Sequence, residues 1–69
     1  MFHVIMTKTG HAATAYLNKW EQMDDGIKYA FSPSQDRAVP FTGEDAVYII
    51  SVLRTMQSDT SIKYSTTAA

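Results

Sequence analysis

The 69-residue sequence contains no cysteine. Disulfide bonds, which stabilise many small folds, are therefore excluded, and so is a cysteine nucleophile. A chain this short buries little apolar surface, and small domains often gain stability from a metal or a partner subunit. The missing disulfides therefore favour a protein partner, with self-association as one form of it.

An excess of charge of either sign is also missing. Six basic residues and seven acidic residues give a formal net charge of −1. Proteins that bind duplex nucleic acid usually carry a basic excess, and a protein that mimics nucleic acid needs an acidic one. The balance of charge favours neither class.

Long apolar runs are absent too. No run approaches the 18 or so residues that a membrane-spanning helix needs. The first ten residues, "MFHVIMTKTG", lack the charged start and long apolar stretch of a signal peptide. We therefore expect a cytoplasmic protein that does not contact the membrane.

Motifs for catalysis and for cofactor or metal binding are missing as well. There is no "GxSxG", and the glycines at 10, 26 and 43 are too scattered for a phosphate-binding loop. In the strand register described below, His3 and His11 are separated by roughly 13 Å, which is too far for one metal ion with ligand bonds near 2 Å. We therefore expect no catalytic residue, no cofactor and no metal site, and the protein is not predicted to be an enzyme.

The patterns that are present predict the element order β-β-β-α-β. Strands are expected at residues 2–7, 11–23, 27–31 and 62–64, between segments rich in turn-forming residues. The helix lies in "TGEDAVYIISVLRTMQ", with Thr42 as N-cap and carboxylates in its first turn. Its apolar stripe contains Ala46, Ile49, Ile50, Leu53 and Met56.

This order predicts an α+β fold, in which an antiparallel sheet of three to four strands carries one helix on one face. Residues 1–64 are expected to form a single domain, and residues 65–69 a frayed tail. Pairing of the last strand beside the first remains open.

The stretch "YLNKWEQMDDGIKYAF" at residues 16–31 allows two registers. A two-residue type I′ turn at Asp25-Gly26 places Trp20 opposite Phe31, and a three-residue turn from Asp24 to Gly26 does not. We favour the first register, with "KTG" as the preceding loop, because it gathers the large apolar residues on one face. The predicted core face contains Phe2, Val4, Met6, Tyr16, Trp20, Ile27, Tyr29 and Phe31. The predicted open face contains His3, Ile5, Thr7, His11, Leu17, Lys19, Glu21, Met23 and Lys28.

Two surfaces remain available for binding after this packing. The first is the open sheet face with its turn, where the candidate residues are Lys19, Glu21, Asp24, Asp25 and Lys28. The second is a helix patch of Tyr48 and Arg54, because tyrosine and arginine are frequent anchors of protein interfaces. This second patch equally suits self-association.

The segments "FHVIMTKTG", "YLNKW", "IKYAFSPSQDRAVPF" and "TGEDAVYIISVLR" give the chain a layout that resembles small accessory proteins encoded by bacterial viruses. The resemblance implies a stoichiometric inhibitor of a host system, of the anti-CRISPR or another anti-defence type, acting in the host cytoplasm. Its partner would be a host protein or complex whose functional surface it blocks sterically.

Two other functions remain open from the sequence. The first is a protein that binds single-stranded nucleic acid through Lys8, Lys19 and Lys28, because lysines beside aromatic residues suit stacked bases. The second is a small-ligand-binding oligomer, which requires a pocket that a chain of this length forms mainly between subunits.

Overall fold

The computed structural model describes residues 1–69 and contains one helix and a four-stranded antiparallel sheet in the order β3-β2-β1-β4. The predicted α+β class is confirmed. No helix has the length and apolar character needed to cross a membrane. The elements are β1 Phe2–Lys8, β2 Thr14–Met23, β3 Gly26–Ser32, a short 3₁₀ turn Gln35–Arg37, α1 Gly43–Met56 and β4 Ile62–Ala68.

Helix α1 begins where the sequence predicts. The hydroxyl of Thr42 accepts a hydrogen bond from the backbone N–H of Asp45 at 3.1 Å, which satisfies one of the free donors of the first turn. The helix ends at Met56, and the N–H of the next residue, the C-cap Gln57, donates to the carbonyl of Leu53 at 3.0 Å. The predicted apolar stripe is buried except for Met56, which is 48% exposed because it lies in the last turn of the helix.

The seven buried residues form one core between the helix and the sheet. Its members come from β1, β2, β4 and α1: Val4, Leu17, Ala46, Ile49, Ile50, Leu53 and Tyr64. Helix α1 packs mainly on β1 and β4. The hairpin formed by β2 and β3 therefore extends beyond the helix and is only partly covered.

Strand β4 corrects the expectation of a frayed tail. It continues to Ala68 and pairs with the whole of β1, from Phe2 opposite Ala68 to Lys8 opposite Ile62. Small polar residues follow Tyr64, and these are compatible with an edge strand although they contribute little apolar signal. Residues 65–68 are therefore part of the sheet.

The predicted register between β1 and β2 is wrong. The connection extends beyond "KTG", since β2 begins only at Thr14, and Ile5 lies opposite Tyr16 instead of Ala13. In the predicted register the numbers of two paired residues add up to 18, and in the observed register they add up to 21. Because the difference is odd, the residues of β2 that pair with β1 lie on the opposite face of the sheet from the one predicted. Leu17 is consequently buried, and Tyr16 lies on the open face beside His3.

The predicted hairpin register between β2 and β3 is wrong as well. Met23 lies opposite Gly26, so Asp24 and Asp25 form the connection, and Trp20 lies opposite Tyr29. Both aspartates have negative φ, so the turn is not type I′, which needs positive φ at both central residues. The side of the sheet predicted for Trp20 is nevertheless observed.

A β-bulge between Leu17 and Lys19 explains why both Leu17 and Trp20 point toward the helix. Asn18 is the extra residue. Beyond the bulge β2 diverges from β1, and the chain before the helix fills the gap. Val39 donates to the carbonyl of Leu17 at 3.1 Å, and Phe41 exchanges two backbone hydrogen bonds with Phe2 at 2.7 and 2.8 Å.

Candidate protein-binding surfaces

The helix side of the hairpin and the near flank of α1 enclose an open cleft of about 230 Å³. We call it the aromatic cleft. The cleft is lined by Trp20, Gln22, Asp45, Tyr48 and Ile49, and Tyr29 lies across the hairpin from Trp20. The cleft exists because β2 and β3 continue beyond the part of the sheet that α1 covers.

Aromatic rings dominate the cleft. Trp20 and Tyr29 lie across the hairpin with ring centroids 6.2 Å apart, and Tyr29 contacts Phe31 edge to face at 6.1 Å. Tyr29 is 43% exposed and Tyr48 is 50% exposed, while Trp20 packs partly against the core. Exposed tyrosine beside a half-buried tryptophan is the composition typical of energetically important residues in protein interfaces.

One hydrogen bond connects the two walls. The side-chain amide of Gln22 donates to the hydroxyl of Tyr48 at 3.3 Å. This contact holds the Tyr48 ring on the flank of the helix that faces the hairpin. The contact favours this orientation of the Tyr48 ring before any partner arrives, which lowers part of the entropy lost on binding.

The charge around the cleft is acidic. Asp45 lines it, and Asp24 and Asp25 form the tip of the hairpin two residues beyond Gln22. No basic side chain lines the cleft. A cationic side chain of a partner can therefore contact both an aromatic ring and a carboxylate here.

The open sheet face carries the other charges that the sequence singled out. Lys19, Glu21 and Lys28 are exposed on the side of the hairpin opposite to Trp20, and Glu21 lies directly across from Lys28. The structure thus brings these three predicted residues together. Alternating signs make the face suitable for contacts with a mixed-charge surface.

The structure separates the two residues of the predicted helix patch. Tyr48 belongs to the aromatic cleft, whereas Arg54 lies on the other flank and donates from its guanidinium to the backbone carbonyl of Tyr64 at 3.4 Å. They therefore cannot act as a single small patch. Arg54 instead lines an open groove between α1 and β4.

The three lysines of the nucleic-acid hypothesis do not share a surface. Lys19 and Lys28 lie on the open face, whereas Lys8 lies on the helix side of β1, with its ammonium 4.0 Å from the carboxylate of Asp59. Hydrogen bonds from the hydroxyl and the backbone N–H of Ser61 lower the pKa of Asp59, and Lys8 adds to this effect. Lys8 is thus engaged in the loop before β4.

A groove of about 340 Å³ lies at the end of the sheet opposite to the hairpin tip. Its apolar lining comes from strands and loops: Met6, Ala13, Ala15, Phe31, Pro33 and Ile62, with Lys8 and His11 among the polar residues. The volume is at the lower end of the range for small-ligand sites. The groove forms within a single chain, although the sequence suggested that a pocket would need a subunit interface.

The histidines give no sign of a metal centre. His11 lies in the loop between β1 and β2, and no three histidine, aspartate or glutamate side chains cluster as metal ligands do. His3 packs its ring edge to face against Tyr16 at 6.2 Å, and its Nδ1 is buried without a hydrogen-bond partner.

Sequence reasoning missed Trp20 and Tyr29 as candidate binding residues, because it assigned both to the core. The available signal was the length of the hairpin relative to the helix. Strand β2 has ten residues, about 33 Å of extended chain, whereas the fourteen residues of α1 span about 21 Å. A helix of that length leaves part of such a hairpin uncovered.

Comparison with known proteins finds no relative for this chain. No protein-family model, no curated protein and no solved structure matches it. A functional proposal therefore depends on the surfaces described above.

Proposed function

We propose that the protein is a non-catalytic binding module that holds another protein in its aromatic cleft. The observation that carries the proposal is a pair of exposed tyrosines near Trp20. Tyr48 lines the cleft together with Trp20 and Asp45, and Tyr29 packs against the Trp20 ring. Rings that are already packed against a fold lose little side-chain entropy when a partner binds. The bound segment carries an arginine or lysine, which stacks on a ring while its charge faces Asp45 or the hairpin tip.

The charged open face provides a second contact for a large partner. Lys19, Glu21 and Lys28 lie on the reverse side of the same hairpin, so a partner that grips the hairpin from both sides reaches them. Charges of this kind mainly affect the association rate and the choice of partner. The two faces together make the β2–β3 hairpin the recognition element.

The resemblance to accessory proteins of bacterial viruses extends this proposal to inhibition. A hairpin inserted into a functional groove of a bacterial defence or regulatory complex blocks that groove sterically, without any chemistry. The site of action would then be the host cytoplasm. The balanced net charge of −1 is consistent with recognition by shape and aromatic contacts.

The experiment is affinity capture from a bacterial lysate after nuclease treatment, with variants of matched exposure. Tyr48→Ala and Tyr29→Ala should each reduce the captured partner at least tenfold, about 1.4 kcal/mol in binding free energy. Met56→Ala is the control, because Met56 is on the same helix and is 48% exposed, similar to Tyr48 at 50%. Equal capture by all variants, or a partner that disappears with nuclease, contradicts the proposal.

The open face is tested separately by charge removal, because reversal at Lys28 would place two carboxylates across from each other. Lys19→Gln with Lys28→Gln should slow association and make it less dependent on salt, while the melting temperature stays nearly unchanged. An unaltered association rate would show that the open face does not take part in binding and that the cleft is the whole site.

A second candidate function is binding of a small apolar ligand, favoured by the 340 Å³ groove at the other end of the sheet. Ala15 lies on its wall, so Ala15→Phe should fill the groove and block ligand binding. A ligand-observed NMR screen with wild type and Ala15→Phe tests this. Hits that bind both proteins equally argue against the groove.

A further inference from the structure

Strand β4 forms an edge of the sheet, and the contact of Arg54 with the carbonyl of Tyr64 protects only one point of it. It has seven residues, Ile62–Ala68, and pairs continuously with β1 with no bulge. Natural proteins usually blunt such edges with proline, bulges or several charges. β4 contains no proline, and Lys63 is its only charged residue.

The free hydrogen-bonding groups of this edge follow from the ladder between β1 and β4. Thr9 donates to the carbonyl of Ser61 at one end, and Ala69 donates to the carbonyl of Met1 at the other. Bonded pairs alternate along an antiparallel ladder, so the odd-numbered residues of β4 bond to β1. The backbone groups that face the edge are those of Ile62, Tyr64, Thr66 and Ala68. Two of these groups have a partner within the chain: the N–H of Ile62 donates to the carbonyl of Asp59 at 3.2 Å, and the carbonyl of Tyr64 accepts a long bond of 3.4 Å from Arg54. A second strand that pairs with β4 displaces these two contacts.

The flank of α1 next to this edge is exposed along one stripe. Glu44, Val47, Ser51 and Arg54 follow one another at helical spacing, and all four side chains are exposed. Val47, at 69%, is the most exposed of the large apolar residues. With Tyr64–Thr66, the last three of these residues line a groove of about 380 Å³.

From this edge and stripe we infer that two copies of the chain associate through β4. The two strands pair antiparallel across a two-fold axis at Ser65, so that Tyr64 lies opposite Thr66 of the second copy. The axis is perpendicular to the sheet, so the two sheets become continuous and both helices lie on the same side. This surface is separate from the aromatic cleft, which stays open in the dimer.

The spacing of the helices fits this arrangement. Helix α1 packs on β1 and β4, so its axis lies near the line between these strands. With strands about 4.8 Å apart, that axis is about 5 Å from the two-fold, and the two helices are about 10 Å apart. Packed helices are separated by about 8–10 Å, so Val47 and Ser51 meet the second helix without a gap or a clash.

The charges of the stripe are self-complementary about the same axis. Glu44 and Arg54 are ten residues apart, about 15 Å along the helix. When the two-fold axis passes near Ile49, the two helices are antiparallel. Glu44 of each copy then lies opposite Arg54 of the other copy. Tyr64–Thr66 and residues between 47 and 54 line the same groove, so these two segments lie side by side. The axis position near Ile49 on the helix therefore agrees with the axis position at Ser65 on the strand to about one turn of helix.

The absence of cysteine allows a direct test by cross-linking of single-cysteine variants. Across the two-fold, Ser65 forms a pair without backbone bonds, with Cα atoms about 4.5 Å apart, which a disulfide can bridge. Ser65→Cys should therefore form a cross-linked dimer on mild oxidation. Lys63→Cys is the matched control, because it is equally exposed on the same face but its two copies are about 13 Å apart.

Charge exchange tests the helix contact. By analytical ultracentrifugation at about 100 µM, wild type should sediment as a dimer, and Glu44→Arg and Arg54→Glu should each raise the dissociation constant at least tenfold. The double variant carrying both exchanges should return it to within about threefold of wild type. A monomeric wild type, equal cross-linking of the two cysteine variants, or no recovery in the double variant overturns the inference.

Discussion

Gln22 donates a hydrogen bond from its side-chain amide to the hydroxyl of Tyr48 at 3.3 Å, and thereby joins two residues that are 26 positions apart in the chain. No other side-chain hydrogen bond connects the hairpin to the helix. The contact is exposed, so water competes for both groups and its contribution to folding is small. Its main effect is to favour the position of the Tyr48 ring at the mouth of the aromatic cleft.

A double-mutant cycle measures this contact. Gln22→Ala and Tyr48→Phe should each lower the free energy of unfolding by about 0.5 kcal/mol or less, with a coupling energy of similar size. Trp20 is the only tryptophan and lies in the cleft, so its fluorescence during urea unfolding reports the change. Strictly additive effects would show that the two side chains do not interact in solution.

Leu17 and Trp20 should differ in their importance for stability. Leu17 is fully buried, so Leu17→Ala should lower the free energy of unfolding by about 2–5 kcal/mol. Trp20 is partly exposed in the cleft. Trp20→Ala should therefore lower the free energy of unfolding by about 2 kcal/mol, which is half of the loss expected for a buried tryptophan. Chemical unfolding followed by circular dichroism compares the two. A larger loss at Trp20 would place that ring in the core, as its sequence pattern first suggested.

The elements themselves were predictable because their signals are local. Thr42 with its carboxylates marks the helix start, and alternating apolar residues mark the strands within a few positions. The faces of β2 were not predictable in the same way. They depend on one extra residue, Asn18, and on a longer loop after β1, and packing across the sheet decides both.

The candidate site was predictable only in part, for a related reason. Tyr48 and Arg54 could be identified because a helical wheel shows which residues lie outside the apolar stripe. The exposure of Trp20 and Tyr29 depends on how far the helix extends over the hairpin, and no local pattern gives that. The same wheel places Tyr48 and Arg54 about 120° apart on the helix. Which part of the sheet each flank faces depends on where β4 lies, and the wheel does not give that.

The bulge at Asn18 can be tested by deletion. Removing Asn18 while keeping the hairpin register places Leu17 directly before Lys19 and opposite Phe31, so regular alternation leaves Leu17 on the helix side and Tyr16 on the open face. The deletion should therefore cost less than Leu17→Ala, for which we expect a loss of about 2–5 kcal/mol. Asn18→Ala keeps the extra residue and should change the free energy of unfolding by less than about 1 kcal/mol. A deletion that costs as much as Leu17→Ala would show that Asn18 is not the extra residue that sets the faces of β2.

Gly26 should tolerate a side chain poorly. Its φ is +150°, and no residue other than glycine has positive φ in this chain. Gly26→Ala should lower the free energy of unfolding by about 1–3 kcal/mol through backbone strain, although there is space for the methyl group. Gly43→Ala is the control, because its Cβ meets only the Phe2 ring, at 3.3 Å, on a backbone that alanine adopts readily. Thermal unfolding of the two variants separates backbone strain from crowding.

The loop between α1 and β4 should respond to acid through Asp59. Its carboxylate accepts hydrogen bonds from the N–H of Ser61 at 2.9 Å and from the hydroxyl of Ser61 at 2.6 Å. These bonds hold the pKa of Asp59 below its ordinary value of 3.8. A lowered folded-state pKa means that this contribution to stability is present above the ordinary value and is lost as the pH falls through the folded-state pKa.

Carbon-detected NMR of the Asp59 carboxyl group across an acid titration should therefore give a midpoint below 3.8 in the wild type. Ser61→Ala removes the hydroxyl donor, which is the largest cause of the shift, and should move the midpoint upward toward the ordinary value. Thr60→Ala is the neighbouring control, because Thr60 donates no hydrogen bond to this carboxylate. A midpoint that does not move in Ser61→Ala would mean that the hydroxyl does not bond to Asp59 in solution, and that the loop does not orient the start of β4 through this contact.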